Sequence, residues 1–197
     1  MKKIGIFGGS FDPIHIGHLI IAEYFFVQQK LDKVIFVPTY ISPFKQDQIK
    51  KISDEDRLAM VKLLTDNDKR FDCDDFEIQS KGVSYTYNTV CNIQSRYPNS
   101  ELILLIGYDN LHDLDKWYEF DKLSELVTFC VANRGAEGTK NEKSPIIGAS
   151  VSLTNLDSPN IEISSSRIRE SIEFGGAYQY MLHPAVFEYV KTKKLYL

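Results

Sequence analysis

Apolar positions gather in short blocks separated by longer stretches of mixed character. KIGIF (3–7), KVIFVP (33–38) and ELILLIG (101–107) are short apolar runs, the mark of strands buried on both faces. TFCVAN (128–133) and SVSLTNL (150–156) add two further strands, and FDCDDFEI (71–78) a weaker one between the second and fourth. Between these runs lie stretches long enough for helices: GHLIIAEYFFVQQK (17–30), the residues after Ser53 through DEDRLAMVKLLTDN, and YTYNTVCNIQSRY (85–97), which stops before Pro98. Ser53 is a capping residue, and the acids that follow it sit where the helix dipole favours them. The last third predicts helices from about Ser165 to Phe174 and from Pro184 to Lys193.

Strand and helix in alternation argue for a parallel sheet covered on both faces. The expectation is an α/β fold: one doubly wound, Rossmann-like domain over residues 1–197, with a mostly parallel sheet and a small helical part from about 163 to 197. Ligands of such sheets bind at the carboxyl ends of the strands, where the strand order reverses. Strands 1 and 4 are expected to flank that point, so the loops after Phe7 and after Gly107 face one crevice.

Composition adjusts this picture only slightly. The chain has 197 residues, 43% of them apolar and 25% charged, the profile of an ordinary soluble protein. A net charge of −4 argues against a general nucleic-acid binder. Cys73, Cys91 and Cys130 are scattered and form no CxxC pair, so neither a disulfide framework nor a zinc site is expected, and a reducing cytoplasm suits them. The opening MKKIGIFGGS is too short in apolar residues for a signal peptide, and the run LIIAEYFFV, broken by Glu23, is too short to span a membrane. RGAEGTKNEKSPIIG (134–148) reads as a surface loop.

Two segments carry candidate chemistry. The first strand runs into GGSFDPIHIGHL (8–19). Gly8 and Gly9 allow a ligand close to the backbone, and His15 and His18 stand at a helix entry, where first-turn N–H groups favour a phosphate. Neither GxxxxGK[ST] nor GxGxxG is present. A lone HxxH is equally two surface histidines on a turn, but the glycines, the preceding strand and the place after strand 1 favour the phosphate reading. The second is ISSSRIRE (163–170): serines at a helix start, with Arg167 and Arg169 able to grip a polyphosphate. By itself it also reads as a capped amphipathic helix with solvated arginines.

Together, GSFDPIHIGH and ISSSRIR resemble the nucleotidyltransferase superfamily marked by an HxGH motif and a C-terminal ISSTxxR-type motif. Further stretches resemble bacterial nicotinate-nucleotide adenylyltransferases: VPTYISPFK (37–45) is similar to their segment ending in PPHK, GVSYTYNT (82–89) to G-x-SYT-x-D/N-T, and GYDNLHDLDKWYEFDKL (107–123) to G-x-DN-x-x-x-L-x-x-W. The tail LHPAVFEYVKTKKLY (182–196) matches as well, so the resemblance covers nearly the whole chain. Two stretches depart from the pattern. PPHK becomes Ser42-Pro43-Phe44-Lys45, leaving Lys45 as the cation there, and Lys81 stands where an Arg is frequent.

The resemblance implies adenylyl transfer from ATP to nicotinate mononucleotide, with release of pyrophosphate, in NAD biosynthesis. It implies catalytic roles for His15, His18 and Arg169, and ATP contacts from Gly8, Gly9, Ser10, Phe11, Gly107, Asp109, Ser165 and Ser166. Lys45, Tyr85, Thr86, Trp117 and Tyr118 fall to the mononucleotide, with Trp117 stacking on the pyridine ring. Mg²⁺ is implied by the ATP polyphosphate and needs no protein metal cluster. A mononucleotide phosphate has a second pKa of about 6 and is already largely dianionic at neutral pH, so no nucleophilic side chain is required. The substrates are small molecules; nucleic acid and membrane are not expected as partners, and a homo-oligomer is left open. Phosphopantetheine adenylyltransferase shares the two outer motifs but lacks the SYT, GxDN and Trp series, and a cytidylyltransferase is a second rival in the same superfamily. A nucleotide sensor that has lost catalysis is a rival of another class, favoured only by the loss of a catalytic histidine.

Overall fold

The computed structural model describes residues 1–44, 51–132 and 151–197. Six strands form its sheet: β1 (Lys2–Gly9), β2 (Lys33–Pro38), β3 (Phe71–Cys73), β4 (Ser100–Gly107), β5 (Val127–Ala132) and β6 (Leu153–Leu156). Their order is β3-β2-β1-β4-β5-β6, and every neighbouring pair is parallel. The chain winds outward from β1 to β3, returns to β4 beside β1, and winds outward again. Strand order therefore reverses between β1 and β4, as expected, and this opens a crevice at their carboxyl ends. The register pairs Phe7 with Leu105, which sets the ends of β1 and β4 side by side.

Each face of the sheet buries its own apolar cluster. Phe7, Phe36 and Leu105 pack with Ala22 and Phe25 of α1 (Ile16–Gln28), Met60 and Leu64 of α2 (Asp54–Thr65), Ile168 and Ile172 of α6 (Ser165–Glu173), and Val186 and Val190 of α7 (Pro184–Lys193). On the other face Ile4, Ile6 and Leu104 pack with Val90 and Ile93 of α4 (Thr86–Arg96), Leu123 of α5 (Phe120–Leu126), and Leu111 and Leu114 of a 3₁₀ helix over Tyr108–Lys116. The last helices thus share a core with the first strand.

Several elements differ from expectation. The third strand ends at Cys73. Asp74 donates its N–H to the Phe36 carbonyl, accepts from the Phe76 N–H through Oδ1 and pairs with Arg96, turning the chain into a short helix, α3 (Phe76–Ser80). Lys81 closes that helix in the left-handed conformation, with φ 50°. The 3₁₀ helix and α5 were not anticipated. β6 is shorter than its apolar run. The loop expected over 134–148 lies outside the described residues.

Candidate functional site

The loop leaving β1 is built by its glycines and aromatics. A Cβ on Gly8 would meet nothing within 4 Å, so a ligand can approach the backbone there. A Cβ on Gly9 would lie 2.9 Å from the Phe11 ring, which the missing side chain admits. Phe11 is buried and adopts a left-handed φ of 47°, an uncommon state for an aromatic residue and one that flags a functional turn. Its ring packs edge-on to His18, with centroids 5.1 Å apart, and so backs the histidine.

His15 caps α1, and His18 follows one turn later. The two rings stack with centroids 3.7 Å apart. Gly17 makes that stack possible, since a Cβ there would stand 3.0 Å from His15 Nδ1. The His15 backbone N–H donates to His18 Nδ1 at 3.1 Å. With Nδ1 accepting, the neutral His18 ring carries its proton on Nε2 and is a donor there.

The serine–arginine segment is hydrogen-bonded directly to this loop. Ser165 Oγ donates to the Pro13 carbonyl at 2.9 Å, and Arg169 Nη1 to the Asp12 carbonyl at 2.7 Å. Arg169 Nη2 donates to Ser166 Oγ at 3.2 Å, so that serine steers the guanidinium. Ser164 is the cap of α6, accepting from the Arg167 N–H. Asp12 accepts from the Tyr196 hydroxyl at 2.8 Å, and its Oδ2 stands 3.9 Å from Arg169. Burial and the Asp12 charge push the Tyr196 phenol up, which keeps it protonated as that donor. His15, His18, Ser165, Ser166 and Arg169 thus meet at the mouth of β1, together with Gly8, Gly9 and Ser10.

Gly107 ends β4 next to that mouth, and Asp109 lies two residues on, exposed, in the 3₁₀ helix. Among the remaining mononucleotide residues, Tyr85 and Tyr118 stack at 4.5 Å, bringing the start of α4 against the end of the 3₁₀ segment. Trp117 is half-buried against the second cluster, with an indole N–H that has no partner among the described residues. The Tyr85 N–H is not open to a ligand, because it donates to the Val83 carbonyl at 3.1 Å. The open first-turn donors are therefore those of Thr86 and Tyr87, which by helix geometry have no partner within α4. Lys45 lies outside the described residues.

Three residues escaped sequence reasoning. Arg57 of α2 is buried and donates to the carbonyls of Ser10 and Thr39. Glu77 of α3 is buried, accepts from the Thr89 hydroxyl at 2.6 Å, and has its carboxyl raised by desolvation. Asp12 anchors both Arg169 and Tyr196. A signal for Arg57 existed: it falls at the start of the apolar stripe Arg57, Met60, Val61, Leu64, Thr65.

A cytidylyltransferase-like family model matches residues 6–171. The chain is 37% identical over its full length, and over 95% of the relative, to a probable nicotinate-nucleotide adenylyltransferase of Synechococcus sp. strain JA-3-3Ab. A protein of the same name from Shouchella clausii is 38% identical, with 100% of this chain and 97% of the relative covered. The fold is shared with the Plasmodium falciparum nicotinic acid mononucleotide adenylyltransferase, solved in complex with NaAD. The TM-score is 0.77 at 22% identity, covering 100% of this chain and 98% of that one.

Proposed function

The chain belongs to the nicotinate-nucleotide adenylyltransferases, and from that membership we propose which of its residues carry the reaction. Adenylyl transfer to nicotinate mononucleotide in NAD biosynthesis is its function, and its substrates are small molecules. One observation carries the assignment of the site: the two signature segments, 150 residues apart in sequence between His15 and Ser165, are hydrogen-bonded to each other at the reversal point of the sheet.

The ATP is held by the Gly8–Ser10 backbone, His15, His18, Ser165, Ser166 and Arg169, with Gly107 and Asp109 toward the nucleoside. The mononucleotide phosphate, a dianion above its second pKa of about 6, attacks the α-phosphorus. A new phosphorus–oxygen bond forms as the bond to the bridging oxygen breaks, and pyrophosphate leaves with that electron pair. His18 Nε2–H and the Arg169 guanidinium stabilise charge growing on the transferred group and the leaving group. No proton has to be removed from the nucleophile. Mg²⁺ bound with the ATP would be held by the phosphates and water and would neutralise part of the polyphosphate charge.

The mononucleotide lies toward Tyr85, Thr86, Trp117, Tyr118 and Lys45. Its pyridine carboxylate faces the start of α4, where the Thr86 N–H and the dipole favour an anion. The acid is therefore preferred over the amide, which would set its own NH₂ against those donors. Residues 1–197 work as one transferase domain, with 163–197 completing the ATP site. The reducing cytoplasm suits an enzyme whose three cysteines are unpaired. Among the described residues no helix is long and apolar enough to cross a membrane.

Pyrophosphate release with ATP against nicotinate mononucleotide, nicotinamide mononucleotide and phosphopantetheine tests the proposal. The expected order is nicotinate, then nicotinamide, with phosphopantetheine inert. Comparable efficiency on the acid and the amide would defeat the helix-terminus assignment.

A further inference from the structure

Arg57 is a charged side chain that the reaction does not use, yet it is only 2% exposed. Burying a guanidinium is costly unless hydrogen bonds and a counter-charge replace its water. Nη1 donates to the Ser10 carbonyl at 2.5 Å, and Nη2 to the Thr39 carbonyl at 2.7 Å and to the Asp54 carboxylate. Nε is buried with no partner among the described residues. Among the described residues the compensation rests on one acid and two loop carbonyls. Well-packed apolar side chains commonly replace buried ion pairs without loss of stability, so packing alone gives no reason for a charge here.

The two carbonyls indicate what the charge is for. Ser10 follows the glycines at the end of β1, and Thr39 follows Pro38 at the end of β2. The Thr39 N–H in turn donates to the Gly9 carbonyl at 2.9 Å. Directly beyond Thr39, the Tyr40 N–H donates to Ser84 Oγ at 3.0 Å, and the Ser84 N–H to the Ile41 carbonyl at 2.8 Å. Those contacts hold the strand-like bridge Ile41–Val83 and, through it, the start of α4. A single planar guanidinium thus spans the joint between the phosphate loop and the segment that carries the mononucleotide side. A rigid fork suits two acceptors in fixed directions, where a lysine ammonium acts as a point charge.

We propose that Arg57 is a positioning residue that couples the two substrate subsites. It touches neither substrate and acts through the Ser10 and Thr39 carbonyls. Because the fork ties the two loops to one another, a displacement of either loop on binding its substrate is carried to the other, which makes binding of the two cooperative. This rests on the reading that the glycine loop holds ATP and the start of α4 receives the mononucleotide.

The test is calorimetric titration of the full chain with an ATP analogue whose α,β-bridging oxygen is replaced by methylene and with nicotinate mononucleotide, each alone and each in the presence of the other. The unaltered chain is expected to bind each ligand at least about 5-fold more tightly when the other is present, the lower end of common coupling factors. Arg57→Lys is expected to bring that factor close to one and to lower kcat more than it raises either KM. Asp54→Asn keeps Arg57 and removes its counter-charge. It is expected to give an intermediate factor, and it decides the matter if Arg57→Lys does not fold. Independent binding in the unaltered chain overturns the proposal, as does undiminished coupling in whichever variant folds. A chain that binds neither ligand, or releases no pyrophosphate when ATP itself replaces the analogue, refutes the reading of the site instead. A chain that binds and turns over both without coupling refutes the role of Arg57 alone.

Discussion

Replacing Gly17 by Ala separates the stability of the helix from the placement of the histidines. Gly17 is the second residue of α1, and its added Cβ would stand 3.0 Å from His15 Nδ1, 3.1 Å from Cε1 and 3.3 Å from Ile161 Cγ2. Ordinary contacts lie at about 3.5–4.0 Å, so the His15 ring has to retreat by roughly half an ångström. Ala gains about 0.5–1 kcal/mol over Gly inside a helix, less in the first turn, and the crowding offsets a similar amount. Net stability should therefore change by less than about 1 kcal/mol. Activity should not be spared. His15 stacks on His18 at 3.7 Å, so the displacement passes to the second ring. A misplacement of about 1 Å costs on the order of 10² in rate, and half of that about tenfold. Thermal unfolding and kcat/KM from pyrophosphate release, measured on the same preparation, give both quantities. A stable Gly17→Ala enzyme working at the unaltered rate would refute the claim that the stacked pair must sit where it does.

His18→Ala removes a preorganised donor and should cost on the order of 10²–10³ in kcat with the fold intact, which circular dichroism and turnover check together. Lys45→Ala should raise the KM for the mononucleotide more than that for ATP; a rise in the ATP constant alone would move Lys45 to the other subsite. Thr86→Pro is tolerated at the first helical position, where the extended Tyr85 can precede a proline, and it removes the N–H assigned to the pyridine carboxylate. Its acid-over-amide ratio in kcat/KM should fall several-fold, by about the 0.5–1.5 kcal/mol of one hydrogen bond. Burial holds the Glu77 carboxyl above its ordinary value of 4.5, so above that pH the unfolded chain loses its proton first and stability falls. Melting of Glu77→Gln relative to the unaltered chain should accordingly improve as pH rises from 4.5 toward neutrality, and the opposite trend would contradict that sign.

The fold was legible where one physical signal dominated. KIGIF, KVIFVP and ELILLIG are apolar on both faces because the sheet is covered on both, and each became a strand. The third strand was overextended because FDCDDFEI keeps an apolar rhythm through Phe76 and Ile78, while Asp74 uses its side chain to turn the chain at once. The 3₁₀ segment was missed for a related reason. Its buried residues, Leu111 and Leu114, are three apart among acids and amides, a spacing that fits three residues per turn but is too brief to stand out.

Legibility of the site followed contact distance along the chain. The relation of His15, Gly17 and His18 is local, so four residues carry it. That ISSSRIR docks on the same loop depends on sheet order, which only the whole pattern of strands implies. Of Tyr85 and Thr86 at the start of α4, only Thr86 keeps an open N–H, because a turn two residues long engages that of Tyr85, a detail below the resolution of any motif. Arg57 is the reverse case, a residue whose signal was present and passed over. A charge at the head of an apolar helical stripe has to find partners inside the protein. The acceptors within reach of a helix beside β1 and β2 are the carbonyls at the ends of those strands, because strand pairing no longer uses them there. A buried arginine in the helix after the second strand of such a sheet thus points to the loops at its carboxyl edge, where the chemistry lies.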